Sequence, residues 1–537
     1  MHRSRATRTL LVSSLVLGFG LSLVIAASAG RSALKDGASL LIGVRSFDYI
    51  DPALVLDPAA SDAPSVVAAT WGVEDASCAM LLRYPVMRPP AVRFDLVPEV
   101  ATAYPALSGD GKIYTFTIRK GFRFSTGAPV TAQSYVSAIN RVLDPTMNSP
   151  GARYLHEVAG AKAVGDHLIV RLTKRVPDFP ARTTMPYFCP VQKDLPIAPE
   201  GAGAPLPGSG PYYVSEFVRG SRVVLQRNPY YRGTRPHHLD QIVFQVGDER
   251  DTNTQKVEAG KVDVDLNPSR LDELAPRYGV NKSRFFSVRS ADMFYVFMNT
   301  ERPLFRDNPE LRRAVNFALD RTAMLLAVGP LFGSRTDSYL PPDVPGYRHV
   351  HPYPVRHPDL AKALALAKGH TRSGKAVYYA CDSIIRKCLA EAELVQYALK
   401  QIGIDVEIRQ FPVDLFWAKT GTRGERFDLT DRVLHVAWVD PSQYIDRQLD
   451  GRTIQPTENA NLSYFNSARY NKLIDRAGSL SGRARSAAYG KLAVDIARDA
   501  APMAAFVARN NRFFFSDRVG CVRTGEHYLD LAGLCLK

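Results

Sequence analysis

The stretch DMFYVFMNTERPLFRDNPELRRAVNFALDR, Asp292 to Arg321, joins two kinds of structure within thirty residues. Met293 to Met298 is an unbroken apolar and aromatic run, which at this length fits a strand buried on both faces. Asn308 precedes Pro309, a residue suited to the first position of a helix because its missing N–H costs nothing there. Asn308 is therefore the expected cap. Beyond it, Leu311, Ala314, Val315, Ala318 and Leu319 recur at helical spacing and leave Arg312, Arg313 and Asp320 on the expected wet side. A buried strand running into an amphipathic helix in mid-chain predicts the start of a second lobe.

A chain of 537 residues exceeds one compact core and predicts two or three domains. Arg3, Arg5 and Arg8 precede the apolar run Leu10 to Ala26, and Ala27-Ser28-Ala29 offers the small residues of a cleavage site. Residues 1–29 read as an export signal, with an uncleaved anchor as the rival reading. With no cysteine near that site, a lipid-anchored protein is not expected. Loss of the three leader arginines takes the net charge from +15 to +12. Lys and Arg are spread along the chain without a basic tract or zinc-finger spacing, which argues for a solvated basic surface over a nucleic-acid partner.

Six cysteines in an exported chain predict disulfides. Fifteen connectivities are open; proximity favours Cys381 with Cys388 and Cys521 with Cys535, leaving Cys78 for Cys189. The absence of any CxxC argues against a redox motif or a zinc ribbon.

Outward from the opening stretch, Ser39 to Val44 reads as a first strand and Val66 to Tyr84 as largely helical. Tyr114, Phe116 and Ile118 alternate with polar residues as in a half-buried strand, and Thr131 opens a helix that stops at Asp144-Pro145. Leu168 to Leu172 is another strand. Pro211 to Phe217 and Arg222 to Arg227 form a hairpin around Arg219-Gly220-Ser221. Thr254 to Gly260 reads as a short helix leading into Val262 to Leu266. After the opening stretch the pattern alternates: helix Asp359 to Lys368, strand Lys375 to Ala380, helix Leu389 to Ile402, strand Asp405 to Arg409, helices Ala468 to Ala477 and Ala484 to Arg498. Met503 to Phe515 is a late strand that returns to the first lobe. This is α/β construction, with ligands expected near strand ends.

Five blocks in this order resemble extracellular solute-binding protein family 5, the dipeptide, oligopeptide and nickel binders that serve ABC importers. They are SGDGKIYTFTIRKGFRF from Ser108 with Pro129-Val-Thr-Ala; Gly208-Ser-Gly-Pro-Tyr-Tyr running on to Arg227-Asn-Pro-Tyr-Tyr-Arg-Gly; Asn299-Thr with LRRAVNFALDR from Leu311; Gln401-Ile-Gly-Ile-Asp-Val; and Tyr464-Phe-Asn through Tyr470 and Leu473-Ile to Ala501-Pro. The resemblance covers nearly all of the chain after the leader. It implies a two-lobed periplasmic-binding-protein fold of class II, large peptide-binder type, with mixed sheets in each lobe and an extra subdomain in lobe I. Lobe I then spans about 33–290, with its subdomain at about 85–207. Lobe II spans 291–512, and 513–537 returns to lobe I. Two crossing strands act as the hinge.

In the peptide binders, an aspartate shortly after a tryptophan holds the ligand's α-amino group, since an amine leaving water needs a carboxylate. The matching stretch is Trp438-Val439-Asp440-Pro441. It is four residues shorter than the family's usual spacing, so Asp440 is either the amine holder or the turn former before Pro441, and Trp438 is a cleft wall. Asn299 and Tyr295 on the crossing are further ligand candidates, as are Trp417 and Phe47, for which core packing competes.

Three look-alikes fail on chemistry. Gly369 to Lys375 has P-loop spacing, but Ala376 replaces the magnesium-binding hydroxyl and a helix precedes where a strand is required. His156-Glu157 lacks the second histidine of a zinc protease, Gly160 standing in its place. His349, His351 and His357 lie in a proline-rich loop without a paired ligand. The one SxxK, Ser32 to Lys35, sits beside the cleavage site. The expectation is a monomeric, periplasmic or surface-held receptor, without catalysis, metal or cofactor, that takes a peptide-like solute to ABC permease subunits. A sensor or chaperone on the same fold, or a secreted hydrolase, is the alternative.

Overall fold

The computed structural model describes residues 38–56, 64–382, 388–525 and 529–537. The expected leader and the Ser32 to Lys35 motif lie outside them. No helix among the described residues is long and apolar enough to cross a membrane.

One mixed sheet of eleven strands runs through the molecule. In its first half Ser39–Val44 lies parallel to Gln241–Val246 and to Val264–Asp265, and the hairpin Tyr212–Val218/Arg222–Arg227 extends it antiparallel. The hairpin turns at Gly220, whose φ of 72° is costly for a residue with a Cβ. In its second half Lys375–Cys381 lies parallel to Asp405–Phe411 and to Leu429–Leu434. Two long strands, Phe285–Met298 and Met503–Phe515, join the halves by pairing antiparallel with each other.

Their register breaks at one place that matters. Phe285 to Arg289 pair with Phe514 to Asn510, and Met293 to Phe297 with Ala508 to Met503, so Ser290, Ala291 and Asp292 face Arg509 alone. Such a bulge bends the pair and re-aims its side chains. It is pinned by Ser290 Oγ donating to the Arg509 carbonyl at 3.2 Å and Tyr444 Oη donating to the Ala291 carbonyl at 2.6 Å.

Separate apolar clusters fill the two halves, with Leu40, Ile42 and Phe244 in the first and Val296, Val315 and Tyr378 in the second. Against the first half stands a four-stranded antiparallel sheet, Ala106–Leu107, Ile113–Thr117, His167–Leu172 and Val158–Val164, covered by helix Ala132–Leu143. The two-lobed α/β architecture with mixed sheets is thus the observed fold. All three cysteine pairings favoured by proximity occur: Cys78–Cys189, Cys381–Cys388 and Cys521–Cys535.

Two local expectations need correction. Asn308 does precede helix Pro309–Ala318, but its side chain makes no cap; its amide donates to the Leu304 and His370 carbonyls, both at 2.8 Å. Arg312 is buried instead of wet, donating to the Ala500 and Phe305 carbonyls. Desolvation pulls its pKa down to about 10. Periodicity assigns it to the polar face, yet the end of helix Gly482–Asp499 packs against that face, with the Ala500 carbonyl on the guanidinium.

Candidate functional site

Where the two crossing strands bend, a cavity of about 550 Å³ opens between the halves of the sheet. Its first wall is built from the carboxyl ends of the parallel strands, at Val44 and Asp265, and from the start of helix Arg250–Glu258. Gly43 lets that helix approach: a Cβ there would fall 1.7 Å from Asn253 Oδ1, and Asn253 Nδ2 instead donates to the Gly43 carbonyl at 3.1 Å. The second wall is largely apolar, with Phe294, Val328, Phe332 and Val433, and His435 stands beside them. Arg509 and Arg512 of the return strand form the floor.

An ionic knot ties this floor to the bulge. Asp292 Oδ2 accepts from Arg509 Nη1 and lies 3.0 Å from His435 Nδ1. All three are largely buried, so the knot links both crossing strands to the chain leaving Leu429–Leu434. On the first wall Asp265 accepts from Thr254 Oγ1 at 2.7 Å and from the Asn267 amide at 3.0 Å. Burial still raises its pKa.

A second, more open cleft of about 780 Å³ separates the four-stranded subdomain from the second half. Trp438 bridges its edge. Its indole donates to Asp178 Oδ2 at 3.1 Å, Arg182 lies over its ring at 4.9 Å, and Tyr154 meets it edge-on at 5.3 Å. Beside it the Val439 amide donates to Tyr84 Oη at 2.9 Å.

The sequence pattern of "Bacterial extracellular solute-binding proteins, family 5 Middle" matches residues 95–455, well over half of the chain. This chain belongs to that family. It is 26% identical over 444 residues to Heme-binding protein A of Haemophilus influenzae, covering 76% of this chain and 78% of the relative. It is 23% identical over 437 residues to periplasmic oligopeptide-binding protein OppA of Escherichia coli, covering 75% and 78%. Among solved structures, clavulanic acid biosynthesis oligopeptide binding protein 2 superposes with a TM-score of 0.83 at 22% identity, over 94% of this chain and 96% of that one.

In this family 5 chain the sequence candidates fall elsewhere than the hinge cavity, whose described lining contains none of the six. Tyr295 is fully buried and donates to the Tyr339 carbonyl at 2.8 Å. Asn299 is buried with its amide on the Phe427 carbonyl at 3.1 Å. Phe47 packs against Phe217 and Phe244, and Trp417 lies under the Arg432 guanidinium at 3.6 Å. Trp438 lines the second cleft. Both Asp440 oxygens are engaged: Oδ1 accepts from Ser442 N and Oγ at 2.9 and 2.7 Å and from Arg485 Nη2 at 2.7 Å, and Oδ2 from Arg485 Nε at 3.3 Å.

Residues that do line the cavity, Arg250, Asp265, His435, Arg509 and Arg512, escape sequence reading because four separate segments bring them together. One signal was available. Arginines punctuating the apolar strand Met503–Phe515 have no place in a purely structural strand. The look-alikes stay apart as well: His351 Nδ1 meets Asp337 at 2.7 Å, and His156 Nε2 meets Glu157 at 3.1 Å. Among the described residues the one cluster with metal-ligand spacing is Glu74 with Cys78 and Cys189, and both sulfurs are spent in a disulfide.

Proposed function

We propose that this chain is an exported receptor that captures a peptide-like solute in the hinge cavity and presents the closed form to the permease of an ABC importer, without chemistry. The observation that carries the reading is the cavity at the bend of the crossing strands, walled by both halves of the sheet, so that one solute touches both. A ligand that bonds to both walls favours the closed arrangement by its differential affinity. The volume is in the range of small-molecule sites. The names of relatives support a solute of this size: they include oligopeptide-binding, heme-binding and deoxycholate-binding proteins.

On this reading lobe I runs over 33–290 with its subdomain at about 85–207, lobe II over 291–512, and 513–537 returns. Residues 1–29 direct export without a lipid anchor, and the receptor works as a monomer that binds no nucleic acid. Asp440 acts as the turn former before Pro441, since its carboxylate already serves Ser442 and Arg485. The test is native mass spectrometry of the protein as purified. A released small solute that re-binds and is recovered unchanged is the expected result; its conversion to products would overturn the reading.

A further inference from the structure

We propose that the Cys78–Cys189 disulfide is a thiol–disulfide exchange site, attacked at Cys189 by a dithiol and served by the Glu74 carboxyl as proton donor and acceptor for Cys78. None of these residues lines the hinge cavity. The two cysteines stand 111 residues apart in sequence, so no local motif announces the pair. Glu74 and Cys78 occupy neighbouring turns at the end of helix Pro64–Ser77, where the Cys78 amide donates to the Glu74 carbonyl at 2.9 Å. This places Glu74 Oε2 3.3 Å from Cys78 Sγ. The Cys78 carbonyl accepts from Arg235 Nη2 at 2.5 Å, which fixes the helix end. Ser77 Oγ lies 3.9 Å from the same sulfur, and Met80 packs in one small cluster with both cysteines.

Glu74 is 1% exposed, its Oε1 has no hydrogen-bond partner, and among the described residues no cation pairs with it. Burial first, then the charge of Asp51, holds its pKa well above the ordinary carboxylate range, so it carries a proton. Asp51 itself is paired with Arg141 at 2.8 Å. A cavity of about 140 Å³ reaches the group, lined by Glu74, Ser77 and Cys189, with Asp194 as its other charged residue and exposed Pro196 at its rim. A buried, unpaired acid against a disulfide gives the packing nothing that an apolar side chain would not give better; its use is chemical. One thiolate of the dithiol attacks Cys189 Sγ, the sulfur on the cavity. A bond forms between them, the Cys78–Cys189 bond breaks, and its electron pair goes to Cys78 Sγ. A buried thiolate is costly, and the Glu74 proton neutralises it as it forms. The second thiolate of the dithiol then attacks its own sulfur in the mixed disulfide and releases Cys189, which takes a proton from water. The dithiol leaves with an internal disulfide, oxidised by two electrons, and both cysteines remain as thiols. Glu74 regains its proton from water, so the two protons lost by the dithiol equal the two gained by the cysteines. In the reverse direction the Glu74 carboxylate takes the Cys78 proton and makes that sulfur the nucleophile.

The test uses the full chain with dithiothreitol as the dithiol, under conditions that keep the fold, and follows each disulfide separately by alkylation and peptide mass spectrometry. Divided by the thiolate concentration, the rate at Cys78–Cys189 is expected to hold at low pH and to fall as pH rises and Glu74 loses its proton, while the rate at Cys521–Cys535 stays level. Glu74→Gln is expected to slow Cys78–Cys189 at least about tenfold and to abolish that pH dependence, with Cys521–Cys535 unchanged. A merely structural Glu74 would move the melting temperature and leave the profile as it was, which would overturn its role. With glutathione, a monothiol, the adduct is expected on Cys189 with Cys78 free. A level profile in the wild type would overturn the role of Glu74 even where the variant fails to fold. Reduction of Cys78–Cys189 only in step with unfolding, as urea is added, would overturn the exchange site, and an adduct confined to Cys78 would overturn the assignment of the attacked sulfur.

Discussion

Asp440 carries opposite predictions under its two roles. If it held a ligand amine, Asp440→Asn would weaken binding; as the partner of Arg485 and Ser442 it should leave affinity unchanged and cost about 1–3 kcal/mol of stability, because a largely buried guanidinium loses its counter-charge. Solute titration alongside thermal melting separates the two. Two turns away, Asp446 makes a pH prediction. Burial raises its pKa to about 8, against the opposing pull of the Tyr489 hydroxyl and Arg485, with Asp440 and Asp178 adding to the rise. The folded state then keeps a proton that the unfolded chain releases near pH 4. This stabilisation is complete below about pH 4 and is lost as pH rises towards about 8. Asp446→Asn should remove that share of the decline, so the mutant's melting temperature gains on the wild type's between pH 5 and 8; parallel melting curves across that window would refute the shift. Single side chains were the least legible scale in the sequence. Arg312 looks like a solvated charge in a pattern that sees one element at a time, yet it is buried against the Ala500 and Phe305 carbonyls.

Elements were far more legible, because their signals are local. Met293 to Met298 reads as a doubly buried strand and is one, Pro309 opens its helix as expected, and the helix expected over Asp359 to Lys368 is observed at Leu360–Ala367. What periodicity does not contain is register: nothing in Ser290-Ala291-Asp292 announces a bulge, which exists only against Arg509. The Gly208-Ser-Gly-Pro block carries family resemblance, and its role is packing. A Cβ on Gly210 would sit 2.6 Å from the Ala76 carbonyl oxygen and 2.7 Å from the Ser77 carbonyl carbon, while its amide donates to the Ser77 carbonyl at 2.7 Å. Neither neighbour is a flexible side chain. Gly210→Ala should therefore cost about 1–3 kcal/mol by forcing the strand off the helix end beside Cys78. Gly203→Ala, with nothing within 4 Å of its Cβ, should stay within about 0.5 kcal/mol of wild type. Chemical denaturation of the pair checks the contrast, and equal stabilities would show that the strand yields.

At the scale of the molecule, the crossing strands leave the two halves free to move only if their other contacts give way. One such contact is at the subdomain edge. There Trp438, 3% exposed, brings the chain after Leu429–Leu434 into the subdomain's own apolar cluster, bonded to Asp178 and stacked under Arg182. The hinge cavity and this latch both join the two halves of the sheet, and the prediction is that a solute filling the cavity and the latch closing over Asp178 favour the same arrangement. A buried tryptophan with a hydrogen bond contributes enough to matter for a two-state equilibrium separated by a few kcal/mol. Trp438→Ala should populate the open form, raise the solute-free radius of gyration in small-angle scattering, and weaken apparent solute affinity by about tenfold, since the competent fraction falls. Trp438→Phe keeps the ring between Arg182 and Tyr154 while losing the bond to Asp178, and should fall between. A lowered melting temperature with scattering and affinity unchanged would show that Trp438 is subdomain core and no latch, and closure would then rest on the solute and on other contacts such as Tyr84 and Phe94 against the second half.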